Sequence, residues 1–147
     1  MSELHQAPRA KRPEFRNINA LNDLPGYRWP LAAIVSGMHR ASGLVMFLLM
    51  PFIIWMFDTS VSSEISFARF TSAFSSGIGF LPGFLIKLVA LGLIWAYLHH
   101  FFAGMRHIRM DLFHTVTKEA GKKTAQLTLI LSLGLTVILG AKLFGLY

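Results

Sequence analysis

The sequence predicts an all-α protein: a three-helix transmembrane bundle with an extended N-terminal cytoplasmic arm. Three observations point there. Three apolar runs, at about residues 31–57, 81–105 and 124–147, are each long enough for the ~20 helical residues that cross a hydrocarbon core. Hydrophobic residues make up 54% of the chain and charged residues 14%, a balance too apolar for an ordinary soluble domain. The basic residues cluster beside the runs, which is how membrane proteins encode topology.

That clustering also explains the formal charge of +7, so the lipid bilayer is the predicted partner and nucleic acid is not. The chain has no cysteine. It can supply no disulfide, no thiolate nucleophile and no cysteine-held iron–sulfur cluster. A redox metal bound here must use histidine, methionine or oxygen. The first thirty residues contain no apolar signal core, which argues against a cleaved secretory peptide.

Residues 1–30 form the arm, and residues 31–147 the membrane anchor. The arm is polar, broken by Pro8, Pro13, Pro25 and Pro30, and basic through Arg9, Lys11, Arg12, Arg16 and Arg28. It reads either as a solvated tail or as an arm lying against a soluble partner. Pro30 suits the first turn of the helix that follows. Within residues 31–57, Pro51 is expected to bend the helix. Ser36, His39 and Arg40 are spaced i, i+3 and i+4 and share one helical face. A rise of 1.5 Å per residue carries Arg40 roughly 15 Å in from Pro30. A cation at that depth either snorkels to the headgroups or meets an anionic or polar ligand. The accompanying serine and histidine favour the ligand.

Residues 58–79 carry Asp58 and Glu64 against Arg69 alone among the basic types, which assigns this loop to the outside. Ile65, Phe67, Phe70 and Phe74 predict a short helix lying in the interface. Pro82 and Gly83 mark the start of the second span, and Lys87 lies near enough to the outer end to snorkel. Trp95 and Tyr97 fall well inside it and need polar partners or a ligand face. On a helical wheel Ala96, His100, Gly104 and His107 fall together, whereas His99 falls near Trp95, Phe102 and Arg106. His100 thus has small neighbours one turn above and below, the clearance a flat macrocycle needs. The connection from Arg106 to Lys123 is basic like the arm. Two spans separate them, so both lie on the cytoplasmic side. The third span carries Gly134, Gly140 and Gly145 as small packing positions, and Lys142 can reach the outer interface.

This arrangement places His39 and Arg40 in the same half of the bilayer as His100 and His107. Histidine can ligate haem iron, and arginine or a second histidine can pair with propionates. Serine and arginine can hydrogen-bond a quinone carbonyl. Buried histidines also serve proton relays, and a purely structural bundle would need none of this chemistry. Zinc is disfavoured, because no thiolate or close carboxylate pair accompanies the histidines. Nothing matches a nucleotide-binding loop or a nucleophile triad.

Two motifs narrow these alternatives. Ser36-Gly37-Met38-His39-Arg40-Ala41-Ser42-Gly43 resembles the S-x-x-H-R-x-[ST]-G signature of the cytochrome b subunit of succinate dehydrogenase. His100-Phe101-Phe102-Ala103-Gly104-Met105-Arg106-His107, followed by Asp111, resembles that family's H-x-x-x-G-x-R-H-x-x-x-D segment. Arg12-Pro13 and Tyr27-Arg28-Trp29-Pro30 resemble its lead-in, so the likeness covers roughly residues 12–147. The resemblance implies an anchor in a bacterial inner membrane, with a cytoplasmic N-terminus and a periplasmic C-terminus. It implies one haem b shared with a second small anchor subunit, and docking of iron–sulfur and flavoprotein subunits. By position it implies His100 as an axial haem ligand, with the adjacent His99 as runner-up, and His39, Arg40 and His107 near the propionates. It further implies Ser36 and Arg40 at a ubiquinone site, with Asp111 nearby. The dehydrogenase chemistry would lie on other subunits. An anchor of quinol:fumarate reductase and a haem-free proton-conducting subunit are the alternatives.

Overall fold

The computed structural model describes residues 17–114 and 117–147. The first part of the arm, with Arg9, Lys11, Arg12 and Arg16, lies outside the described residues. Among the described residues six helices follow in order: α1 (Ala20–Asp23), α2 (Leu31–Leu48), α3 (Met50–Val61), α4 (Glu64–Ser75), α5 (Gly83–Phe113) and α6 (Lys118–Leu143). Of these, α2, α5 and α6 are long and apolar enough to cross a membrane.

Local chemistry sets most of the boundaries. The Asn19 side chain accepts hydrogen bonds from the Leu21 and Asn22 amides at 3.1 and 3.3 Å, which starts the single turn of α1 within the arm. Trp29 packs edge-on to Tyr27 and donates its indole N–H to the Leu24 carbonyl at 3.2 Å. The apolar stretch 31–57 is interrupted where the sequence predicts a bend. Leu49 leaves helical geometry at φ −90° and ψ 5°, and Pro51 has no N–H to return to the Phe47 carbonyl. The predicted interfacial helix is α4. It opens on a reciprocal cap in which Ser63 Oγ accepts from the Ser66 amide and Ser66 Oγ from the Ser63 amide, at 3.1 and 2.9 Å. At Gly83 a Cβ would lie 2.7 Å from the Phe74 carbonyl oxygen, so the missing side chain lets the end of α4 sit against the start of α5.

Helix α5 runs beyond the predicted span, to Phe113, and ends with His114 in the left-handed conformation at φ 50°. Helix α6 starts at Lys118, earlier than its apolar run, because Thr117 caps the Ala120 amide at 3.2 Å. The charged residues between the runs are thus helical, and they mark the ends of the apolar runs rather than the ends of the helices.

The three long helices pack on one another through small and hydroxylated residues. Val35, Ala96, Ala103 and Ala125 are buried together with Ser42, Thr128 and Ser132. Their hydroxyls bond back into their own helices, as Thr128 does to the Thr124 carbonyl at 3.0 Å. The large side chains point outward: Phe47, Ile130 and Val137 are each about 70% exposed, at 72%, 68% and 70%. Small residues inside and large apolar ones outside is the pattern of helices packed in lipid, where close backbone approach drives association. The chain is a membrane protein with an all-α bundle fold.

Candidate functional site

The site lies where α2 and α5 cross the same depth in opposite directions. The antiparallel register shows in their contacts: His99 meets Val35, while Leu49 lines a groove with Ile86 and Val89. Three imidazoles gather in that seam. The His39 ring stacks on His100 with centroids 4.1 Å apart and planes 20° from parallel, and lies 5.3 Å from His107.

The two adjacent histidines of α5 have different surroundings. His100 is half-buried, and its Nδ1 lies 3.0 Å from the His39 carbonyl oxygen and 3.3 Å from Ser42 Oγ. A carbonyl has no proton to give, so Nδ1 carries the hydrogen and donates it. The Ser42 hydroxyl donates to the same carbonyl at 2.8 Å. That leaves Nε2 with its lone pair. His99 is fully buried. Its Nε2 reaches the Val35 carbonyl at 3.4 Å and its Nδ1 the Ser132 hydroxyl at 3.5 Å. Trp95 stacks on the same ring at 5.4 Å. Both nitrogens of His99 therefore face protein, one on α2 and one on α6.

Glycine makes the first of these arrangements possible. A Cβ on Gly43 would lie 2.9 Å from His100 Cε1, too close for the ring to stay where it is. A Cβ on Gly104 would lie 3.6 Å from His39 Nε2, an ordinary contact. Ala96 is buried in the bundle, and the close approach to His100 comes from Gly43 on the facing helix. Ser42 and Gly43 belong to the first sequence motif, yet their roles depend on an interhelical contact that periodicity within one helix does not reveal.

The remaining candidates fan out around the imidazoles. Ser36 is half-buried and Arg40 exposed, so the face predicted for Ser36, His39 and Arg40 opens from the α5 seam at His39 toward the outside at Arg40. Asp111 is exposed and stands one turn beyond His107 on α5. Tyr97 is outward-facing and stacks on Phe101 at 6.5 Å. Among the described residues, no group of three histidine or carboxylate side chains is arranged to hold a metal ion.

Residues 15–139 match the family described as succinate dehydrogenase/fumarate reductase transmembrane subunit. A Coxiella burnetii protein named succinate dehydrogenase cytochrome b556 subunit is 33% identical over 131 residues, covering 89% of this chain and 95% of the relative. A Paracoccus denitrificans protein of the same name is 31% identical over 112 residues, covering 76% of this chain and 81% of the relative. With the family match running across α2, α5 and most of α6, this chain belongs to the succinate dehydrogenase/fumarate reductase transmembrane subunit family.

Proposed function

We propose that this chain is the cytochrome b anchor of a succinate:quinone oxidoreductase, and that His100 would hold the iron of one haem b. The observation that carries the proposal is the His100 ring, with Nδ1–H held by the His39 carbonyl and Nε2 left as the donor atom. A metal-binding imidazole is oriented in this way, by a carbonyl on its other nitrogen. His99 does not suit the role, because both of its nitrogens face protein within the three-helix core. The haem would be shared with a second small anchor subunit, as the family resemblance implies.

Haem b, when bound, supplies a one-electron carrier within the membrane. His39 and His107 flank His100, and together with Arg40 they would pair with the haem propionates. Arg40 and Ser36, at the open edge of the same group, are proposed to hydrogen-bond ubiquinone. The Arg40 guanidinium would stabilise the negative charge that develops on the quinone oxygen as it is reduced, and Asp111 stands near the cytoplasmic mouth of the site. Electrons would come from an iron–sulfur subunit fed by a flavoprotein subunit, and no dehydrogenase site is assigned to this chain. Residues 1–30 form the cytoplasmic arm and residues 31–147 the anchor in a bacterial inner membrane, with residue 147 periplasmic. An anchor of quinol:fumarate reductase shares the family description, but the names of both relatives favour the succinate enzyme.

The test is a reduced-minus-oxidised spectrum of membranes carrying the chain with its native partners, followed by succinate–quinone reductase activity. A b-type band lost with His100→Leu and kept with His99→Leu is the expected result. Loss with His99→Leu alone would overturn the ligand assignment, and no band in the wild type would overturn the haem. Ser36→Ala should keep the band and lower reductase activity by roughly 10- to 100-fold, the cost of about 1.4–3 kcal/mol of lost stabilisation, and Arg40→Leu should lower the activity at least as far.

A further inference from the structure

A second polar feature, apart from the histidines, lies at the cytoplasmic end of the bundle. A cavity of about 560 Å³ opens between the start of α2, the last turns of α5 and the start of α6. Arg106, Lys118 and Lys122 line it, with Leu31, Ala32 and Met110. Arg106 is the unusual member. It is only 7% exposed, and its one hydrogen bond to the described residues runs from Nε to Thr124 Oγ1 at 3.1 Å. Its Nη donors and its charge are left for whatever enters. Among the described residues no carboxylate pairs with it, and a cation so enclosed is stabilised when an anion joins it.

The backbone points the same way. No side chain caps α2, and Leu31 and Ala32 both line the cavity, so their amides lack intrahelical acceptors beside it. The first turn of α6 brings a second set of amides and the positive end of a 26-residue helix. Glu119, the acidic residue of that turn, does not line the cavity.

We propose that this cavity binds the phosphate of an anionic phospholipid. A lipid headgroup is favoured over a free ion by the depth and the walls. Pro30, which opens the first span, sits on the rim, and Leu31 and Met110 give apolar surface for the glycerol end. The Arg106 side chain also lines a groove along α5 and α6 with Phe102, Leu127 and Leu131, at the level of acyl chains. The site uses none of the residues assigned to haem or quinone.

The test is native mass spectrometry of the detergent-solubilised complex, titrated with short-chain phosphatidylglycerol, short-chain phosphatidylcholine or inorganic phosphate. Wild type should bind phosphatidylglycerol in preference to the other two. Lys118→Gln combined with Lys122→Gln, both exposed positions, should weaken that binding roughly thirtyfold with an unchanged haem spectrum. Arg106→Gln should weaken it as well, and the lysine pair keeps the test decisive if that variant fails to assemble. Equal binding of the two lipids, or no change in the double variant, would overturn the proposal. Inorganic phosphate competing as well as phosphatidylglycerol would overturn the lipid and leave an ion site.

Discussion

His99 and His100 are neighbours in sequence, but one residue of helical rotation sends them to different partners. The wheel separates them from sequence alone, because 100° per residue is enough to put one beside Trp95 and the other beside Gly104. The hydrogen bonds that distinguish them were not legible, since the His39 carbonyl and the Ser132 hydroxyl come from other helices. Gly43 illustrates the same limit. Its contact with the His100 ring leads us to expect that Gly43→Ala displaces the imidazole and costs about 1–3 kcal/mol by overpacking. Thermal unfolding and haem content of the assembled complex would register both effects. Gly104→Ala makes only an ordinary contact within this chain. It should be the milder substitution in stability, and any loss of haem it causes would report a group lying against α5.

At the scale of elements, His99 joins α2, α5 and α6 through a single ring. His99→Ala would open a cavity among three helices and is expected to cost about 2–4 kcal/mol, read as a lower denaturation temperature of the complex. The partner oxygens keep other bonds, Ser132 to the Leu129 carbonyl at 3.3 Å, so most of that cost comes from lost packing. Apolar run length located the three spanning helices and Pro51 located the interruption after α2. The ends of α5 and α6 were less legible. Arg106, Arg109 and Asp111 end an apolar run, but arginine has good helix propensity and charge alone stops no helix. The helix persists until a residue adopts left-handed geometry, at His114.

For the whole molecule, the arm and the α5–α6 connection are expected on one side of the membrane and the α3–α4 connection on the other. The absence of cysteine makes this directly testable. Ser62→Cys should react with an impermeant maleimide added to intact cells, and Thr117→Cys only after the cells are opened. The reverse pattern would invert the topology. The bundle class was legible because lipid imposes a simple rule on composition. The length of α5 has a mechanical consequence. Its 31 residues make a rod of about 46 Å at 1.5 Å per residue, against a hydrocarbon slab of roughly 30 Å. The histidines sit in the C-terminal half of that rod, and a thicker or thinner bilayer must be met by tilt or local deformation. Membrane thickness would thereby set how far the imidazoles lie from water.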